Sequence, residues 1–142
     1  MPHAYPSSAT PTARTPDFAV SRVTAFWEGL GSHVRRLTPE AHDRGVAAIS
    51  HLVHLAAYGL VAAAEDEALA LAGPGFVDTT RIAASAETLW TDILRENRPA
   101  LLVSLDRYRE VLTRWERLIQ GGQWETLETE LGRARARREK LP

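Results

Sequence analysis

Residues 38–64 read TPEAHDRGVAAISHLVHLAAYGLVAAA, and this stretch decides the architecture. Thr38-Pro39-Glu40 is a helix start: a hydroxyl able to cap, a proline at the first helical position and an acid in the first turn. No proline follows until Pro74, so the pattern predicts one long central helix over residues 39–72. From Gly45 to Ala64 the run contains no Lys, Arg, Asp or Glu. It just meets the roughly 20 residues that a bilayer span requires. Ser50, His51 and His54, with padding by Ala and Gly rather than Leu and Ile, argue against lipid, where polar side chains are costly. A helix buried on most sides within a helical protein explains the run, and no membrane is expected. Such a helix must be covered on several sides, and a second copy of the chain is the simplest cover, so a homodimer is expected.

On the C-terminal side the breaks are marked. Gly73-Pro74-Gly75 ends the long helix, and residues 78–84 read as a short helical turn. A helix carrying Leu89, Trp90, Ile93 and Leu94 follows, and Asn97 with Pro99 marks another start. Leu101, Leu105, Tyr108, Leu112, Trp115 and Ile119 recur at helical spacing until Gly121-Gly122. A last helix holds Trp124, Leu127 and Leu131 and ends in the basic run of residues 133–140, read as a solvated helix end with cations at the negative pole of the dipole.

On the N-terminal side, residues 1–17 read as a flexible tail, because Pro2, Pro6, Pro11 and Pro16 interrupt a stretch without apolar periodicity. Asp17 is placed to cap a short amphipathic helix with Phe18, Val20, Val23, Phe26, Trp27 and Leu30 on its apolar side, closed by Gly31. Residues 32–37 fit one strand with no visible partner. The expectation is therefore an all-α helical bundle with a single orphan strand.

A formal net charge of -1 gives no reason to expect nucleic acid as a partner. Without cysteine, disulfides, thiolate nucleophiles and Cys-type zinc sites are excluded. The N-terminus lacks the apolar core of a signal peptide, so the cytoplasm is the expected compartment.

Ser50, His51 and His54 form a polar trio on an apolar helix, and their spacings of three and four place them on one side of it. They are either satisfied core groups or a functional site, since an unsatisfied buried polar group costs about 1–3 kcal/mol. A metal is not expected: two histidines are too few for catalytic zinc, and His42 falls nearly on the opposite face. Arg81 follows a glycine-containing loop and suits bidentate capture of a carboxylate, or a structural pair with Asp78 three residues earlier. Trp90, like Trp27, Trp115 and Trp124, reads as core.

Taken in order, His42-Asp43, Ser50-His51-Leu52-Val53-His54, Gly75-Phe76-Val77-Asp78-Thr79-Thr80-Arg81-Ile82-Ala83, Trp90-Thr91-Asp92-Ile93 and Asn97 resemble the C-terminal half of a prephenate dehydrogenase. The resemblance covers residues 38–141 and implies a helical dimerisation and substrate domain over residues 38–142. It also implies that residues 18–37 are the last helix and strand of a nucleotide-binding domain otherwise absent, which would account for the orphan strand. The family's reaction is oxidative decarboxylation of prephenate to 4-hydroxyphenylpyruvate in tyrosine biosynthesis, with NAD or NADP, and some relatives prefer arogenate. By this similarity His54 and Arg81 help hold a small dicarboxylate, Ser50 and His51 line the same pocket, and Asp78 joins an ionic network with Arg81.

Two departures matter. Val53 stands where the family often has proline, which predicts a straighter helix with its histidines aimed differently. There is no Gly-x-Gly-x-x-Gly after a strand, and the family's principal general-base histidine lies in the absent domain; neither His3 nor His33 has a motif to replace it. The chain alone is thus expected to hold no cofactor, contribute no catalytic residue and transfer no hydride. A separate nucleotide-binding chain could complete it as a split enzyme, and the alternative is a non-catalytic helical homodimer serving as an interaction or small-carboxylate-binding module.

Overall fold

The computed structural model describes residues 6–141. Residues 1–5, part of the expected tail, and residue 142 lie outside the described residues. Within that tail the structure differs from the sequence reading: Pro6–Ala9 forms a strand, β1. It pairs in parallel with β2, His33–Arg36, in the register Pro6↔His33 to Ala9↔Arg36. The orphan strand therefore has a partner. Parallel neighbours need a crossover, and helix α1, Asp17–Gly29, supplies it by packing on both strands. Pro16, rather than Asp17, occupies the cap position; Asp17 is the first helical residue and faces Arg36 at 3.6 Å. Gly31 takes a left-handed φ of 86°, as its place after the helix requires.

The rest is helical, as expected. Thr38 Oγ1 accepts the Ala41 N–H at 3.1 Å, and α2 runs Pro39–Val46 behind this cap. The axis then continues through a π-helical segment, Ala47–His51, in which the Leu52 N–H reaches five residues back to the Ala47 carbonyl. Helix α3, Leu52–Ala63, completes it. The predicted helix over residues 39–72 thus ends early: Ala64 turns to an extended ψ of 133° and a short helix α4, Asp66–Leu69, follows. Gly73-Pro74 opens α5, Pro74–Thr80, with proline at its first position, and a 3-10 segment, Arg81–Ala84, continues it. Helices α6, Glu87–Glu96, α7, Arg98–Gln120, and α8, Trp124–Arg138, end the chain. Gly122, at φ 61°, turns α7 back into α8. The hairpin is held where Arg114 Nε and Trp115 Nε1 both donate to Glu130 Oε2 at 2.9 Å.

One chain does not bury its own apolar surface. Among the described residues the buried apolar ones are Ala47, Ala57, Leu101 and Leu118, and no large side chain is wholly enclosed. Ile49, Val53, Leu60, Leu102 and Val103 stand exposed on the helical axis and α7, as do Phe18, Phe26 and Trp27 on α1. The chain presents 11,421 Å² to solvent, whereas a compact monomer of this mass exposes about 7,300 Å². The axis Pro39–Ala63 is long and apolar enough to cross a bilayer by length and composition, yet little of it is covered within one chain. An excess of this size matches what obligate partners bury. Light scattering of the purified chain should therefore give twice the monomer mass, and the thermal midpoint should fall on tenfold dilution, as it does for subunits whose folding depends on association. A monomer with a midpoint independent of concentration would contradict this.

Candidate functional site

The polar residues of the central helix sit at its irregular point. His51 is the last residue of the π segment and His54 lies in the first turn of α3. A π turn adds a residue to the ring and shifts the side chains that follow, which is why such segments collect at functional sites. Val53, read as favouring a straighter helix, lies just beyond this π segment. The axis is distorted without proline, and Val53 itself is exposed.

His51 is buried and His54 half-buried. His54 Nδ1 lies 3.0 Å from the Ser50 carbonyl, one turn earlier. Its ring stacks on the indole of Trp90, with centroids 3.4 Å apart and planes 19° from parallel, and the same indole meets His51 edge-on at 6.3 Å. Trp90, read from sequence as core, is thus a wall of the histidine cluster, carried by α6. Asn97, between α6 and α7, is the other member that sequence reasoning missed. Its amide nitrogen donates to the Asp43 carbonyl at 2.8 Å and lies 3.2 Å from His51 Nδ1. Asparagine at such a helix start ordinarily caps with its side chain, but here it makes no cap and ties three elements together instead. The Ser50 hydroxyl makes no hydrogen bond among the described residues, and Ser50 contributes through its carbonyl.

Arg81 and Asp78 are placed differently. Both are exposed, and among the described residues neither forms an ion pair or joins the histidine cluster by a hydrogen bond. A structural Asp78–Arg81 pair is therefore not formed within this chain. The segment that bears Arg81 is firmly seated: buried Thr80 donates to the Phe76 carbonyl at 2.7 Å, the 3-10 turn packs on α3, and Tyr58 in α3 donates to the Ser85 carbonyl at 2.6 Å. Arg81 is a free cation on a fixed mount beside the histidine helix.

Electrostatically the site favours a neutral His51. Burial holds the His51 pKa below its ordinary value of 6.5; the Asp43 carboxylate works against this, while His54 and His42 add to it. His42 Nδ1 contacts Asp43 Oδ1 at 3.1 Å and so engages that carboxylate. No group of three or more His, Cys, Asp or Glu able to hold a metal occurs among the described residues. A nucleotide cradle does not fit this chain either. The turn from β1 into α1, residues 10–16, contains no glycine, and the carboxylate of Asp17 stands in the first turn of α1, where a pyrophosphate would have to lie.

A distorted apolar helix whose polar cluster is clamped by two further helices, on a chain that leaves most apolar surface open, defines a helical assembly module with a small polar site. Residues 38–133 match the family model described as prephenate dehydrogenase, dimerization domain. The chain belongs to the prephenate dehydrogenase family. It is 38% identical over 111 residues to a cyclohexadienyl dehydrogenase of Zymomonas mobilis, a match covering 73% of this chain and 38% of that protein. Among solved structures, Synechocystis arogenate dehydrogenase superposes with a TM-score of 0.84 at 34% identity, over 95% of this chain and 51% of the other. Prephenate dehydrogenase from A. aeolicus in complex with hydroxyphenyl propionate and NAD+ superposes with a TM-score of 0.86 at 30% identity, over 96% of this chain and 50% of the other. The chain thus spans about half the length of these structures and less of the curated relative.

The depressed His51 pKa fixes a sign. Neutral His51 contributes stability that is present above the unfolded value of about 6.5 and is lost as pH falls from there through the folded value. His51→Asn keeps an acceptor for Asn97 without a titrating ring. The thermal midpoint of the parent chain should drop more steeply than that of His51→Asn between pH 7 and pH 5, and parallel curves would show that His51 carries no such term.

Proposed function

We propose that this chain is the substrate-binding and dimerisation part of a prephenate or arogenate dehydrogenase, working as a cytoplasmic homodimer and leaving the nucleotide to a domain outside the residues described. The observation that carries the reading is the cluster of His51, His54, Trp90 and Asn97 at the π-distorted point of an apolar helix, with the unpaired cation of Arg81 seated on the adjoining turn. Its membership of the family supports the same reading. Oxidative decarboxylation with NAD+ or NADP+ belongs to the complete enzyme; this chain's own tasks are binding and orientation. Arg81 offers a guanidinium fork for one carboxylate. The histidine pair offers ring nitrogens to the remaining polar groups, and the Trp90 indole limits water on one face of His54. Asp78, three residues from Arg81, is available for an ionic contact with a second copy of the chain.

A second reading is a helical homodimer that binds small carboxylates or partners without catalysis, and it is supported by the large apolar side chains that one chain leaves exposed, which assembly alone would call for. A separate chain bearing a nucleotide domain would reconcile the two.

Calorimetric titration of the chain with prephenate, with and without NAD+, separates these. Binding to the dimer that NAD+ leaves unchanged is expected. Arg81→Ala should weaken it by about 1.5–3 kcal/mol, the range for a hydrogen bond to a charged group. An unaltered affinity in that variant would remove Arg81 from the site, and no binding by the folded parent dimer would favour the assembly reading.

A further inference from the structure

Two imidazoles one turn apart differ in what their inner nitrogens face. His54 Nδ1 faces the carbonyl oxygen of Ser50. A carbonyl can only accept, so that nitrogen carries a proton, and in the neutral ring Nε2 is left with a lone pair. His51 Nδ1 faces the side-chain amide of Asn97. Which amide atom lies there is fixed by chemistry, because the same atom sits 2.8 Å from the Asp43 carbonyl and must be the NH2 group. One of its hydrogens serves Asp43 and the other points at His51. A ring nitrogen that receives a donor cannot bear a proton, so neutral His51 carries its hydrogen on Nε2.

The outer nitrogens are therefore of opposite sense: His51 Nε2 donates and His54 Nε2 accepts. Among the described residues neither has a hydrogen-bond partner, and neither is a sealed, unsatisfied buried atom, so both remain open to solvent or a ligand. We propose that Asn97 is a positioning residue that relays the Asp43 carbonyl to His51 and fixes it as the Nε2–H tautomer, so that the histidine pair presents one donor and one acceptor to a hydroxy acid. The donor suits a carboxylate or carbonyl oxygen, and the acceptor suits a hydroxyl proton. The charged and titratable groups acting on the His51 ring are Asp43, His42 and His54, and all are on the same helical axis. From α6 and α7 the groups that meet it are Trp90 and Asn97, both uncharged. The tautomer thus rests on the asparagine and not on a neighbouring charge.

The assignment of ligand class rests on the substrate-binding reading above; the tautomer does not, and the two can fail separately. Long-range nitrogen–proton NMR of the imidazole rings in the full chain, at a pH above 7.5 and without ligand, should show His51 protonated at Nε2 and His54 at Nδ1. Asn97→Asp puts an acceptor where the donor stood. His51 should then take its proton on Nδ1 and titrate at higher pH than in the parent, while Asn97→Ala should give a mixture of tautomers. In the same variants prephenate affinity should fall about tenfold, the loss of one oriented hydrogen bond. An Nδ1–H tautomer for His51 in the parent chain overturns the proposal, and needs no variant to fold. So does an unchanged tautomer in folded Asn97→Ala and Asn97→Asp. The expected tautomers without prephenate binding would uphold the positioning role of Asn97 and overturn the hydroxy acid as its ligand.

Discussion

The structure depends on covering an axis that runs from Pro39 to Ala63 and carries no Lys, Arg, Asp or Glu from Gly45 onward. Within one chain α5, the 3-10 turn and α7 lie against it, yet Ile49, Val53 and Leu60 remain exposed. Association must repay lost rotational and translational freedom and the ordering of side chains, and removing these exposed apolar side chains from water, at roughly 25 cal/mol per Å², is the term available to do so. The same constraint explains the small side chains at the closest contacts. Ala47 and Ala57 are the most buried residues of the helix, where neighbouring helices approach it, whereas its larger residues face outward.

An apolar axis makes any polar group on it expensive, and this is why the inner nitrogen of each ring is tied. His51, lodged among apolar neighbours, has its inner nitrogen met by Asn97 and its edge against Trp90. His54 spends its inner nitrogen on the Ser50 carbonyl and lays its face on the indole. Leaving any one of these groups unpaired would cost about 1–3 kcal/mol. The π segment is part of the same arrangement, because it lets one helix end in a buried histidine while the next begins with a half-buried one.

What the amino acids declare locally could be read. Thr38-Pro39-Glu40 starts its helix as capping chemistry demands, and Gly31 and Gly122 adopt the left-handed backbone of helix ends. The polar trio of Ser50, His51 and His54 is legible as the place where chemistry and packing compete. What escaped has non-local causes. Strand β1 is four residues long and begins with proline, which an edge strand tolerates but which removes the usual signal. The helix stops at Ala64 without glycine or proline, just before Glu65 and Asp66, acids suited to a fresh N-terminus. The π turn has no residue signature, and Trp90 looked like any other apolar ring. Asn97 looked like a cap because its partners lie 54 and 46 residues away, and only the folded chain brings them together.

The charge balance of the site finally argues for a division of labour. Burial disfavours the charged form of His51, so that ring is poorly suited to pair with an anion. Arg81 is exposed and, among the described residues, unpaired at the head of a well-anchored turn that packs on α3. An exposed arginine in water binds a carboxylate weakly, because screening and side-chain entropy consume most of the gain. Its grip strengthens once a second surface excludes solvent. The open apolar surface that calls for a partner subunit lies on the same chain as this exposed arginine, so under the proposed substrate-binding role charge recognition would gain strength from whatever closes over Arg81.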